Sequence, residues 1–156
     1  MKKAISPVIA TVIIVAVTIA IAIAVALWMT GLVGSFTGTE NLQIVSAYAT
    51  KNPDGTWTIY LQVKNVGTVD VTIDNIFING VPVSSLASYV INITVKTQDK
   101  TTTYDASNMS NISIPIATGQ TANMNITVKG YVAGQMLEIK LHSAAGKEYP
   151  KQVTLP

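Results

Sequence analysis

The chain has no cysteine, no arginine, one histidine and only 12% charged residues over its 156 positions. Without cysteine there is no disulfide framework and no thiolate metal site, so stability must come from apolar packing, strand pairing or assembly with neighbours. All 10 basic residues are lysine, so the planar fork that grips phosphates bidentately is missing. Two of the lysines, Lys2 and Lys3, precede every other charge; from Ile5 onward 8 lysines face 8 acidic residues, a formally neutral balance. A neutral surface without arginine argues against nucleic acid as a functional target.

Catalytic and metal chemistry are also poorly provided for. Asp54, Asp70, Asp74, Asp99 and Asp105 fall in turns or at strand edges without a ligand-loop pattern. Asp70 and Asp74, four apart in an extended strand, share a face but lie about 13 Å apart, too far for joint acid and base work. Gly119 and the stretch from Gly130 to Gly134 lack the Lys-Ser or Lys-Thr companion of a phosphate loop. His142 reads as a surface group at a strand end. The expectation is therefore a protein that is not an enzyme and needs no cofactor and no metal.

What is present begins with an apolar run. No charge occurs between Lys3 and Glu40, and the 22 residues from Val8 to Met29 are interrupted in polarity only by Thr11 and Thr18. At about 1.5 Å per residue that run spans about 33 Å, enough for a hydrocarbon core of roughly 30 Å. Lys2 and Lys3 belong on the cytoplasmic side, which places everything after Gly31 outside the membrane. A cleaved secretory signal has Ala-x-Ala candidates at Ala20-Ile21-Ala22, Ala22-Ile23-Ala24 and Ala24-Val25-Ala26, but the run exceeds the usual apolar length of roughly 7–15 residues. A plain signal anchor is the simplest alternative.

A third reading starts from the composition of the run. Ala16, Ala20 and Ala24 follow one another at four-residue spacing, as do Ala22 and Ala26. Such spacing puts small side chains in stripes on one side of a helix, where neighbouring helices can approach closely. Thr11 and Thr18 are expected to bond back to carbonyls of the preceding turn. Ser6-Pro7 reads as a helix start, with proline where early amides are unpaired anyway. Trp28, near the outer end, suits either an interfacial aromatic or a packed one.

The run Lys2-Lys3-Ala4-Ile5-Ser6-Pro7-Val8-Ile9-Ala10-Thr11-Val12 resembles the start of archaeal type IV pilins and archaellin-like proteins, with their class III signal peptide. The resemblance covers roughly residues 1–35. It implies a leader recognised through Lys2 and Lys3, cut between Ala4 and Ile5 by a prepilin-peptidase-like enzyme. It further implies a subunit held in the membrane until a cytoplasmic ATPase and a platform protein extract it into a helical homo-oligomeric filament. Bacterial relatives carry glutamate at the fifth mature position; Ile9 stands there in this chain, as is common in the archaeal branch.

From Leu42 the pattern changes to two-residue alternation, clearest in Thr56-Trp57-Thr58-Ile59-Tyr60-Leu61-Gln62-Val63-Lys64. Asn52-Pro53-Asp54-Gly55 before it is a strong turn, predicting a hairpin with Leu42 to Thr50. Further strands are predicted at Val69 to Ile73, Asn75 to Ile78, Tyr89 to Val95, Thr101 to Tyr104, Ile112 to Ile116, Ala122 to Val128, Met136 to Leu141 and Glu148 to Leu155, with a turn at Asn79-Gly80. Many short strands separated by Gly, Asn and Pro turns predict an immunoglobulin-like antiparallel β-sandwich. The expected organisation is a leader at 1–4, a hydrophobic helix at 5–36 and an extracellular head at 37–156, an α+β chain.

Four N-glycosylation patterns lie on the expected outer side: Asn92-Ile93-Thr94, Asn108-Met109-Ser110, Asn111-Ile112-Ser113 and Asn125-Ile126-Thr127. The functional expectation is a structural subunit of an extracellular type IV pilus-like filament with a role in surface adhesion. A membrane-anchored monomeric binding domain and an archaellin of a motility filament are the alternatives.

Overall fold

The computed structural model describes residues 6–36 and 38–156, which fall into two compact units, one helical and the other Thr39–Pro156. The first is α1 (Pro7–Phe36), 30 residues and thus about 45 Å long. Pro7 opens it, and the Ser6 carbonyl accepts from the Ala10 amide at 3.2 Å. Gly31 and Gly34 both lie within the helix. The hydroxyls of Thr11, Thr18 and Thr30 donate to the carbonyls of Val8, Ile14 and Ala26 at 2.7–2.9 Å, so these polar groups are satisfied inside the helix.

The second unit holds ten strands: β1 (Leu42–Lys51), β2 (Trp57–Asn65), β3 (Val71–Ile78), β4 (Val81–Pro82), β5 (Val90–Lys96), β6 (Thr101–Asp105), β7 (Ile114–Ile116), β8 (Thr121–Val128), β9 (Met136–Ser143) and β10 (Glu148–Thr154). One sheet has the order β1-β2-β8-β5-β6; the other runs β10-β9-β3-β4, with β7 also paired to β3. Every pairing is antiparallel. With the long apolar helix before it, this gives the expected α+β architecture with a sandwich-like head.

Local chemistry explains the turns. In the β1–β2 hairpin Gly55 takes φ +83°, and the Asp54 carboxylate accepts from both the Thr56 amide (3.0 Å) and its hydroxyl (2.6 Å). Asn79 (φ 51°) and Gly80 (φ 79°) make the two-residue β3–β4 turn, where two positive φ values match the strand twist. Alternation then builds the core. Ile59, Leu61 and Val63 of β2, Met124 and Ile126 of β8, and Ile93 of β5 are buried, as are Ile73, Ile76 and Ile78 of β3 and Leu137, Ile139 and Leu141 of β9.

Bulges interrupt the alternation at three places: between Ile44 and Ser46, Ile73 and Asn75, and Val90 and Asn92. The second of these corrects the expectation of two strands at Val69 to Ile73 and Asn75 to Ile78. The chain makes one strand, β3, whose inward phase shifts from Val71 and Ile73 to Ile76 and Ile78 across the bulge. Ile112 precedes β7, following a short 3-10 turn at Met109–Asn111. β4 is a two-residue strand that the sequence pattern does not signal.

Candidate functional site

Two surfaces stand out, and each is built by one unit. On α1 the apolar residues cover all sides, with no amphipathic preference. Side chains around its girth are exposed, from Val8 (69%) and Val12 (63%) to Leu27 (69%) and Trp28 (67%). A soluble surface helix hides one stripe and wets the other; a helix apolar all round needs an apolar environment on every side. The stretch Pro7–Gly31 is long and apolar enough to cross a membrane.

The five predicted packing alanines, Ala16, Ala20, Ala24, Ala22 and Ala26, all lie on exposed helix. At about 100° per residue, Ala16–Ala20–Ala24 and Ala22–Ala26 form two stripes centred roughly 140° apart, not stripes on one side as the spacing alone suggested. The helix therefore offers close approach on two flanks. At the first stripe Val12, Val15, Ala16 and Ile19, with Thr11, line a shallow apolar depression. Residues at i, i+3, i+4 and i+7 around a small side chain have the geometry of a hole that accepts a knob from another helix. The predicted leader residues Lys2, Lys3, Ala4 and Ile5 lie outside the described residues.

The head's first strand is reached through a strap. The Thr39 carbonyl accepts from the Thr68 amide at 2.9 Å, and the Asn41 carbonyl accepts from the amides of Val66 and Gly67 at 2.9 and 3.1 Å. The Ser143 hydroxyl donates to the Glu40 carboxylate at 2.8 Å, and the Lys147 ammonium donates to the Glu40 carbonyl at 2.7 Å. Gly67 permits this: a Cβ there would lie 2.4 Å from the Thr39 carbonyl oxygen. Asn65, fully buried, donates to the carbonyls of Val69 and Ile116 and accepts from the Gly67 amide, holding the same turn from within. The partners of this turn are long-range and leave no local trace in the sequence.

The outward face of the first sheet is mainly uncharged and polar, with Lys64, Lys96 and Asp105 as its exposed charges. Register aligns Tyr48, Tyr60, Asn125, Thr94 and Thr103 across the five strands, and Ser46, Gln62, Asn123, Lys96 and Thr101 in the next row. The rings of Tyr48 and Tyr60 stack with centroids 4.9 Å apart and planes 16° from parallel. No local pattern signals this pair, because the β1 bulge at Val45 resets which residues of β1 face outward.

The four candidate glycosylation asparagines occupy different environments. Asn92 and Asn125 are half-buried on the neighbouring strands β5 and β8, where Asn92 sits opposite Thr127 and Asn125 opposite Thr94. Each acceptor thus faces the threonine of the other's pattern. The Asn108 side chain accepts from the Asp105 amide at 2.6 Å and donates to the Thr103 carbonyl at 3.4 Å. Asn111 is exposed at the end of a 3-10 turn, the most accessible of the four.

The second sheet carries paired charges. His142 Nδ1 lies 2.6 Å from the Asp74 carboxylate, and Lys140 pairs with Glu148 at 3.1 Å while lying over the Phe77 ring. Asp74 reaches His142 because it sits in the β3 bulge. Asp70, just before that strand, accepts from the Thr118 amide at 2.9 Å. Among the described residues no three His, Asp or Glu side chains gather as a metal site.

No family model matches the chain, and no curated protein does. Among solved structures it is similar to the structure of the Iho670 flagellar-like filament, at 17% identity and a TM-score of 0.40, over 96% of this chain and 98% of that one. It is also similar to the archaellum periplasmic stator protein FlaG from Sulfolobus acidocaldarius, at 17% identity and a TM-score of 0.40, over 73% of this chain and 99% of that one. Likeness at this level carries no argument about the function of this chain.

Proposed function

We propose that the chain is a structural subunit of an extracellular type IV pilus-like filament, assembled through α1, with the head displayed for surface adhesion. The observation that carries this reading is a 30-residue helix, apolar on every side, with small-residue stripes on two flanks. Lipid covers such a helix before assembly and sibling helices cover it afterwards. The two environments hide similar apolar area, so burial supplies little net drive for the exchange and an ATPase-powered machine must supply the rest. Once outside, each apolar side chain held from water contributes roughly 0.8 kcal/mol per CH₂, and dissociation of a subunit is correspondingly slow.

In this reading the precursor sits in the membrane with Lys2 and Lys3 cytoplasmic, and a prepilin-peptidase-like enzyme cuts between Ala4 and Ile5. Sugar attached to the head, first at Asn111, would shield a surface that carries little charge. The main competitor is a plain membrane anchor bearing a monomeric head, which the span Pro7–Gly31 also permits; an archaellin shares the same helix and head.

The deciding experiment is mass analysis of protein sheared from cells, combined with electron microscopy of the sheared fraction. Filaments whose subunits begin at Ile5 and retain α1 are the expected result. Subunits beginning near Thr30 would point to simple secretion. An intact Met1 found only in the membrane fraction would establish the anchor.

A further inference from the structure

We infer that the outward face of the first sheet binds a neutral saccharide, seated against the Tyr48–Tyr60 stack and held by the amides of Gln62, Asn123 and Asn125. This rests on the head alone and is independent of how α1 is used. Ser46, Tyr48, Tyr60, Gln62, Asn123 and Asn125 line most of a shallow, open groove of about 310 Å³, at the lower end of the roughly 300–1,000 Å³ usual for small-molecule sites.

The chemistry selects the ligand. Stacking Tyr48 on Tyr60 occupies one face of each ring, while Tyr48 remains 54% exposed. A free aromatic face is electron-rich and apolar, matching the patch of C–H groups on one side of a pyranose ring. Beside it, each side-chain amide offers donors and an acceptor together, the pairing that neighbouring sugar hydroxyls require. Among the described residues the side chains of Gln62, Asn123 and Asn125 make no hydrogen bond of their own, so these groups are uncommitted. No charged residue lines the groove, which disfavours an acidic sugar or a phosphate.

A peptide is the less suitable occupant. β2 and β8 are paired on both sides, so their main-chain groups are spent and cannot recognise an added strand. Adjacent aligned rows continue as Thr94 and Thr103, then Lys96 and Thr101, extending the face so that several units of a linear polymer could lie across it.

The test uses the full-length chain in lipid nanodiscs, made in a host without N-glycosylation so that no sugar is attached at Asn125. The probes are immobilised mannohexaose, cellohexaose and chitohexaose, with hexagalacturonate as the acidic control. At least one neutral hexasaccharide should bind and the acidic one should not. Tyr60→Ala and Tyr48→Ala should each weaken binding about tenfold, the size of a lost ring contact. Tyr48→Phe and Tyr60→Phe keep the stack and should bind nearly as the parent does, and the outward-facing Asn123→Ala should weaken binding without lowering the melting temperature. Failure of all three neutral probes to bind would overturn the proposal. So would equal binding of hexagalacturonate, or binding that survives both alanine changes in protein shown by circular dichroism to be folded. Loss of self-association in Tyr60→Ala with no effect on sugar would reassign the face to contacts between heads.

Discussion

Val8 in α1 is 69% exposed and Ile59 in the head is 0% exposed, although both are aliphatic residues of a chain rich in them. The head hides its aliphatic residues by alternation: inward side chains of two sheets meet, and threonine, asparagine, glutamine and tyrosine face outward. The helix has no alternation and no polar stripe, so nothing within it can be turned toward water. The difference is one of where each unit finds its apolar partner. The head finds it within its own sequence, whereas the helix must borrow it from lipid or from other chains. A folded head is therefore a property of one molecule, while a covered helix is a property of an environment.

The strongest way to break this comparison is to separate the two environments that would cover α1. Ala20→Trp keeps the helix apolar and long enough to span a membrane, yet it fills the middle of the Ala16–Ala20–Ala24 stripe. Membrane fractionation should show the variant retained like the parent, while filaments seen by electron microscopy disappear entirely. Head stability should stay within about 0.5 kcal/mol, as for surface changes remote from a core. Normal filaments from this variant would show that the stripe is not a packing surface. At the leader, replacing Ala4 with a bulky residue should likewise leave the protein in the membrane without filaments, and filaments of normal appearance would refute the assigned cut.

How much of this was legible in the sequence follows from range. The helix was readable because its signal is compositional and local: a charge-free apolar run opened by Ser6-Pro7. The β1–β2 hairpin was readable because Asn52-Pro53-Asp54-Gly55 supplies its own hydrogen bonds and positive φ. Bulges were not readable, since an extra residue at Val45, Asp74 or Ile91 is decided by pairing with a distant strand. The Tyr48–Tyr60 stack and the Gly67 strap were hidden for the same reason. Gly67 has no positive φ to betray it; what demands glycine there is the Thr39 carbonyl, 28 positions earlier in the chain (67 − 39).

Within the head, the comparison sharpens if core and strap are broken separately. Ile126→Ala, in a fully buried position of β8, should cost about 2–5 kcal/mol, read from urea unfolding followed by Trp57 fluorescence. Membrane retention should not change, because no lipid-facing residue is altered. Gly67→Ala acts on the strap: its Cβ would meet the Thr39 carbonyl and the Asn41 amide nitrogen at 2.4 and 2.7 Å. Displacing that backbone should cost about 1–3 kcal/mol, as for overpacked sites. The Thr68 amide should then lose hydrogen-exchange protection while the amides of β8 keep theirs. Uniform loss of protection across the head would mean that the strap and the core unfold as one unit.

The smallest expected effect lies at the β1–β2 turn, where a charge supports the fold without burial. The Thr56 hydroxyl, and then the Thr56 amide, donate to the Asp54 carboxylate and hold it below the usual carboxylate range. A group whose pKa is lower in the folded state favours folding when ionised. Its contribution is therefore complete above the ordinary carboxylate pKa, near 3.9, and fades as pH falls through the lower, folded value. Acidification should loosen Thr56 first, while Ile59 and Ile126, whose burial involves no charge, hold the sheet together. An NMR titration following the Asp54 carboxyl carbon and the Thr56 amide proton together should show both moving at one midpoint below 3.9. In Asp54→Asn the Thr56 amide should no longer move at that midpoint. A midpoint at or above 3.9 would mean that the turn gains nothing from the charge, and that Pro53 and Gly55 alone set its shape.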